Sequence, residues 1–202
     1  MNAPPLSGPI PRFVLKAIVW LPLAFAVWYF AAPVLLWPAK LLVQAVAKIG
    51  LPDLVIAVEQ AGATYTFATT LKPGVATAMS GSITVDVNAL LYAFGLPLYV
   101  ALVLAAREPG WRRKLAIGYA VIIPFVAWGV LADFLKNVAI TASPLVASQT
   151  GFTAWQREVI AFAFQFGSLI LPTVVPAVVW VVTHRAFLER LRTQGAPRAT
   201  AA

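Results

Sequence analysis

The chain has 202 residues, of which 61% are hydrophobic and 11% charged, with a net charge of +8 and no cysteine. Soluble domains carry charge on about a quarter of their residues, so there is too little polar surface here to coat a globule, and the natural solvent for most of the chain is lipid. The missing cysteine excludes disulfides, thiolate metal sites and a thiol nucleophile.

A first apolar segment, 13–37, follows Arg12 and includes Lys16. Ala24-Phe25-Ala26 mimics a signal-peptide cleavage site, but apolar sequence continues to Trp37, so the segment reads as a retained anchor. Next comes "AKLLVQAVAKIG", with Lys40, Gln44 and Lys48 at four-residue intervals among aliphatic residues. This spacing predicts an amphipathic helix, opened by Pro38 and closed by Gly50 and Pro52.

The period then changes to two. In "TYTFATTL", Tyr65, Phe67 and Leu71 face opposite to Thr64, Thr66, Ala68 and Thr70. In "SITVDVN", Ile83, Val85 and Val87 oppose Ser82, Thr84, Asp86 and Asn88. The β-branched run "LVIAVEQ" precedes them, with Ala61-Gly62 as its turn, and Pro73, Gly74 and Gly81 mark a looser connection. Such alternation predicts a small antiparallel sheet with one wet face. A sheet of this size is marginal alone and needs a support.

Three more apolar segments follow, at 89–106, 115–132 and 159–182. With the first, they make four segments that satisfy the length rule of about 20 apolar residues per crossing. Pro22, Pro33, Pro97, Pro124, Pro172 and Pro176 interrupt the four segments and predict kinked, mutually packed helices. The fold class expected is therefore mainly α: a four-helix polytopic membrane domain over the whole chain, with residues 38–88 inserted as a helix and a small sheet.

Short loops set the orientation. Arg12 and Lys16, then Arg107, Arg112, Arg113 and Lys114 against Glu108, then Arg185, Arg190, Arg192 and Arg198 fall on one side of a four-crossing chain. The positive-inside rule makes that side, and both termini, cytoplasmic. Lys40, Lys48, Lys72, Lys136 and Arg157 lie opposite, diluted by Asp53, Glu59, Asp86, Asp133 and Glu158. The inserted helix and sheet are then periplasmic.

On that outer side, Asp133 and Lys136 end the third segment, while Trp155, Gln156, Arg157 and Glu158 open the fourth. Trp155 suits an interfacial belt. The four charges fall at a similar depth on adjacent helices, placed to pair across them or to meet a charged partner. These six residues are the candidate interaction site.

Other chemistry finds little footing. The one histidine, His184, falls on the cytoplasmic edge and reads as a flanking residue, with no nucleophile to activate. The acids are scattered singly, unlike a metal cluster. No phosphate-binding glycine loop, soluble basic face for nucleic acid or GxxxG motif is present. No cofactor is expected. A small transporter or channel subunit, with Gln165 and Ser168 lining a path, is the alternative; a membrane enzyme using Asp133 with Glu158 is a third reading.

The runs "FVLKAIVWLPLAFAVWYFAAPVLLWP", "VEQAGATYTFATTL", "VDVNALLYAFGLPLYVALVLAA", "PFVAWGVLADFLKNVA" and "GFTAWQREVIAFAFQFGSLILPT" resemble, in their order and spacing over residues 13–190, the exosortase H-associated membrane proteins. The resemblance implies a small bacterial inner-membrane protein beside a transpeptidase-like enzyme that processes proteins with a C-terminal sorting tail. That enzyme relies on Cys, Arg and His, so a chain without cysteine is not the enzyme. What is implied is a non-catalytic accessory whose partners are the lipid bilayer, exosortase H and its sorting-tail substrates.

Overall fold

The computed structural model describes residues 8–73 and 81–195. It is mainly helical, with three helices long and apolar enough to cross a membrane. The first, α1 (Pro9–Leu35), starts on a proline, whose fixed φ and missing N–H suit a first turn. It runs uninterrupted through Ala24–Ala26 and buries Ala24, Trp28 and Ala32. At Leu36 the chain turns into α2 (Trp37–Gly50), again with a proline in the first turn. Helix α2 buries Ala39, Val43 and Ala47. On the wet face Lys40 Nζ donates to Gln44 Oε1 at 2.6 Å, as the four-residue spacing anticipates.

Three strands follow, β1 (Val55–Ala61), β2 (Thr64–Thr69) and β3 (Thr84–Asn88), antiparallel in the order β1-β2-β3. The hairpin closes between Ala61 and Thr64, with Gly62 at φ 64°, a region glycine enters without a steric penalty. Tyr65 pairs with Gln60 and Val87, and Phe67 with Val58 and Val85. The alternation read from sequence is realised: Val58, Tyr65, Phe67, Leu71 and Val87 are all buried. The looser connection falls largely on residues 74–80, outside the described ones.

The sheet's apolar face rests on α2 and on the end of α5 (Trp111–Lys136), where the rings of Phe67 and Phe134 stack with centroids 4.2 Å apart. Tyr65 Oη donates to the Leu36 carbonyl at 2.5 Å, tying β2 to the α1–α2 corner. Burial, with the nearby Tyr119 hydroxyl second, holds the Tyr65 phenol above its ordinary range, so it stays a donor.

The segment expected at 89–106 forms a short helix α3 (Leu90–Ala93) and then α4 (Gly95–Ala106). It is the shortest of the apolar helical units and falls below the length of the three long ones. Its approach to its neighbours depends on glycine. A Cβ at Gly95 would overlap the Pro172 carbonyl, and Gly118 and Gly129 leave room for the rings of Tyr99 and Tyr92. Small residues of this kind let backbones close up where lipid supplies no hydrophobic drive between helices.

Helix α5 is longer than expected and continues as a π-helical turn, Asn137–Thr141. After α6 (Pro144–Gln149), helix α7 (Ala154–Gln165), a second π turn (Phe166–Ile170) and α8 (Leu171–Thr183) make one unbroken apolar helix of 30 residues. The polar helix α9 (Arg185–Gly195) ends the described chain. Contacts define two ends. At one, Phe13 stacks on Trp180 at 5.5 Å and packs on Phe187. At the other, the Gln149 amide exchanges two hydrogen bonds with the backbone of Lys72, 3.0 and 2.9 Å, fastening α6 to the sheet.

Candidate functional site

The six candidate residues lie at the sheet end, on α5 and α7. Asp133 is 8% exposed although charged. Its Oδ1 accepts from Lys136 Nζ at 2.9 Å and from Asn137 Nδ2 at 3.2 Å, both on its own side of the helix. Positions three and four apart face one another on a helix, so this pairing forms within the helix at little entropic cost. The ammonium of Lys136 then lies 4.2 Å from the Phe164 ring centroid, a cation–π contact that reaches α7. The acid and the base thus stand in the last turn of α5, which the π turn Asn137–Thr141 continues.

Across from them, α7 opens with a capping box. Thr153 Oγ1 accepts from the Gln156 N–H at 3.3 Å, and Gln156 Oε1 accepts from the Thr153 N–H at 2.8 Å. Gln156 is therefore committed to starting the helix. Trp155 is 75% exposed, as an interfacial tryptophan would be. Arg157 and Glu158 line a cavity of about 370 Å³ with residues of the π turn and α6. Among the described residues no ion pair joins them to Asp133 or Lys136. The four charges, foreseen as pairing across helices or meeting a charged partner, make one ion pair on α5, while Arg157 and the exposed Glu158 make none among the described residues.

Gln165 is exposed, and Ser168 Oγ donates back to the Phe164 carbonyl at 2.8 Å, so no observation supports a path lined by the two. The groove between α1, α4 and α5, about 400 Å³, is lined by apolar and aromatic side chains with no acid or base among them.

A second constellation occupies the opposite end, and sequence reasoning missed it. Glu108, 6% exposed, accepts from Lys114 Nζ at 2.5 Å and from Arg190, joining the α4–α5 loop to α9. Beside it His184 is completely buried and stacks on Trp180 at 5.3 Å. Its Nδ1 lies 3.1 Å from the Trp180 carbonyl and 3.0 Å from Thr183 Oγ1, and Nε2 has no partner. Burial first, then Lys114, hold the His184 imidazole below its usual value, against the Trp180 bond and Glu108. The only sequence signal was Glu108 itself, a lone acid in a basic loop.

A family model described as "exosortase H-associated membrane protein" matches residues 7–187. No curated protein and no solved structure matches the chain.

Proposed function

We propose that this chain, which belongs to the exosortase H-associated membrane proteins, is a non-catalytic accessory of an exosortase H protein-sorting system. In this reading it sits in the bacterial inner membrane and contacts the sorting enzyme or its tailed substrates through the sheet end. The observation that carries the reading is the build of that end. A three-stranded sheet is fastened to the helices by the Tyr65–Leu36 bond, the Phe67–Phe134 stack and the Gln149–Lys72 bonds, so a load on the sheet is transmitted to α5 and α6. Next to it stand an exposed Trp155, Arg157 with its Nε shielded and unpartnered, and an exposed Glu158. Asp133, Lys136 and Gln156 shape the same contact surface from below.

Four crossings are part of the proposal, at 13–37, 89–106, 115–132 and 159–182. The unit Leu90–Ala106 leads from the sheet to the loop holding Glu108, from one end of the molecule to the other. Its length is near the lower bound of about 17 residues for a crossing. Helix α1 contributes Trp28 and Ala32 to the core, which favours its retention as an anchor. The arginine-rich loops then put both termini in the cytoplasm and the 38–88 insertion in the periplasm.

Photo-crosslinking from an aromatic azide placed at Trp155, in membranes that also contain the exosortase and a sorting-tail protein, tests the role. Adducts with either are expected. Absence of both, with the probe expressed and inserted, removes it. Alkaline phosphatase fused after Lys72 should be active; activity only of a cytoplasmic reporter there would reverse the topology.

A further inference from the structure

We propose that the cavity between the first π turn, α6 and α7 seats the headgroup of an ethanolamine-type zwitterionic phospholipid, with Arg157 receiving its phosphate and Glu158 its ammonium. The cavity, of about 370 Å³, is lined by Ala139, Ile140, Pro144, Arg157, Glu158 and Ala161. Apart from the two charges this wall is apolar, so any polar ligand is held by them.

The charge pattern specifies the ligand. Arg157 stands in the first turn of α7, where the helix dipole is positive and no acidic residue offsets it. Its Nε is shielded from water and has no hydrogen-bond partner. The Nε–H of this half-buried guanidinium lacks an acceptor, and a phosphate matches its fork of donors. Glu158, on the same cavity, forms no ion pair among the described residues either. Consecutive helical residues do not face one another, so the two line one cavity without neutralising each other. A soluble anion would meet only Arg157; a ligand carrying both signs also meets the exposed Glu158 on the same wall.

The surroundings favour a lipid as the source. From this cavity α7 continues into the long apolar helix ending at Thr183, so the charges stand at its polar mouth, at headgroup depth. Directly along α7, Val159 and Phe162 are exposed, an apolar flank on which acyl chains can lie. The opposite wall is the π turn Asn137–Thr141, whose extra residue widens the helix beside the cavity. Such insertions recur at functional sites. The proposal rests on the membrane placement of α7 and not on the partner reading, so crosslinking and lipid binding fail independently.

The test uses the full chain, purified in detergent and exposed to phosphatidylethanolamine, phosphatidylglycerol or soluble phosphoethanolamine, with retained lipid counted by native mass spectrometry. Wild type should retain phosphatidylethanolamine over phosphatidylglycerol, which has the phosphate but no ammonium. Arg157→Gln should lower that retention about tenfold, the weight of one charge-assisted contact. Glu158→Gln should remove the preference between the two lipids while leaving phosphate-dependent retention. If Arg157→Gln fails to fold, Arg157→Lys, which keeps the charge but loses the fork, and Glu158→Gln carry the test. Equal retention of both lipids by wild type, retention unchanged in the Arg157 variants, or binding of the soluble headgroup as strong as that of the lipid would each overturn the proposal.

Discussion

Replacing Gly95 by alanine should loosen the packing of α4 on α8, and the magnitude follows from what the new methyl meets. It would overlap the Pro172 carbonyl oxygen and the Pro176 ring, and lie 3.2 Å from the Pro172 carbonyl carbon. The first obstacle is backbone and cannot rotate away, so the helices must separate by roughly an ångström to restore an ordinary contact. Overpacking of this kind destabilises by about 1–3 kcal/mol. Against it stands the better helix propensity of alanine, at most about 1 kcal/mol, and less at the first residue of α4. The net expectation is a loss of about 1–2 kcal/mol. Gly50, the last residue of α2, has no atom within 4 Å of a would-be Cβ and provides the control. With the full chain in detergent micelles, SDS titration followed by tryptophan fluorescence should show a lower midpoint for Gly95→Ala and an unchanged or slightly higher one for Gly50→Ala. An unaltered midpoint for Gly95→Ala, or an equal fall for both, would refute the claim that α4 and α8 meet through that glycine.

Three further outcomes are expected from the same assay. Glu108→Ala should lower the midpoint by about 1–3 kcal/mol, less than a fully buried pair because Arg190 is 58% exposed and its share is screened; proteolysis within α9 should speed up as well. Tyr65→Phe should lose about 1 kcal/mol, since the Leu36 carbonyl keeps the Lys40 N–H as a donor at 3.0 Å, and amide exchange in β2 should quicken. The pH dependence has a definite sign. Because the folded His184 imidazole titrates below its unfolded value of about 6.5, its contribution is complete above that pH and lost as pH falls through the depressed folded value. The midpoint should therefore drop on acidification from pH 7 to 5, and His184→Gln should flatten the slope.

What the sequence disclosed was whatever is local and periodic. The four-residue spacing of Lys40, Gln44 and Lys48 found α2, and the alternation through Tyr65, Phe67 and Leu71 found a strand with its buried face, because one chain segment carries each signal. Where the sheet would rest was not legible. Phe134 reads as one more apolar residue of a crossing until folding brings it over Phe67, far away along the chain. The glycines escaped for a related reason: Gly118 and Gly129 follow no recognised motif, and their role depends on Tyr99 and Tyr92 arriving from another helix. His184 was misjudged because a flanking histidine and a buried one have the same neighbours in sequence. Only the packing of Trp180 and the approach of Glu108 and Lys114 separate them.

The two ends differ in which charges they leave without ion pairs, and that difference supports a contact at the sheet end. At the arginine-rich end Glu108 is consumed by Lys114 and Arg190, His184 is sealed beneath a tryptophan, and the aromatic stack of Phe13, Trp180 and Phe187 closes the bundle. A partner could reach that acid only by breaking contacts already made. At the sheet end the backbone-fastening bonds are equally complete, and Asp133 is consumed by Lys136, yet Arg157 and Glu158 remain without ion pairs among the described residues. Arg157 Nε is shielded from water without a hydrogen-bond partner, and a buried donor left unmade is costly. With that donor beside a cavity and next to an exposed tryptophan, the sheet end is the better placed of the two to take the contact proposed above.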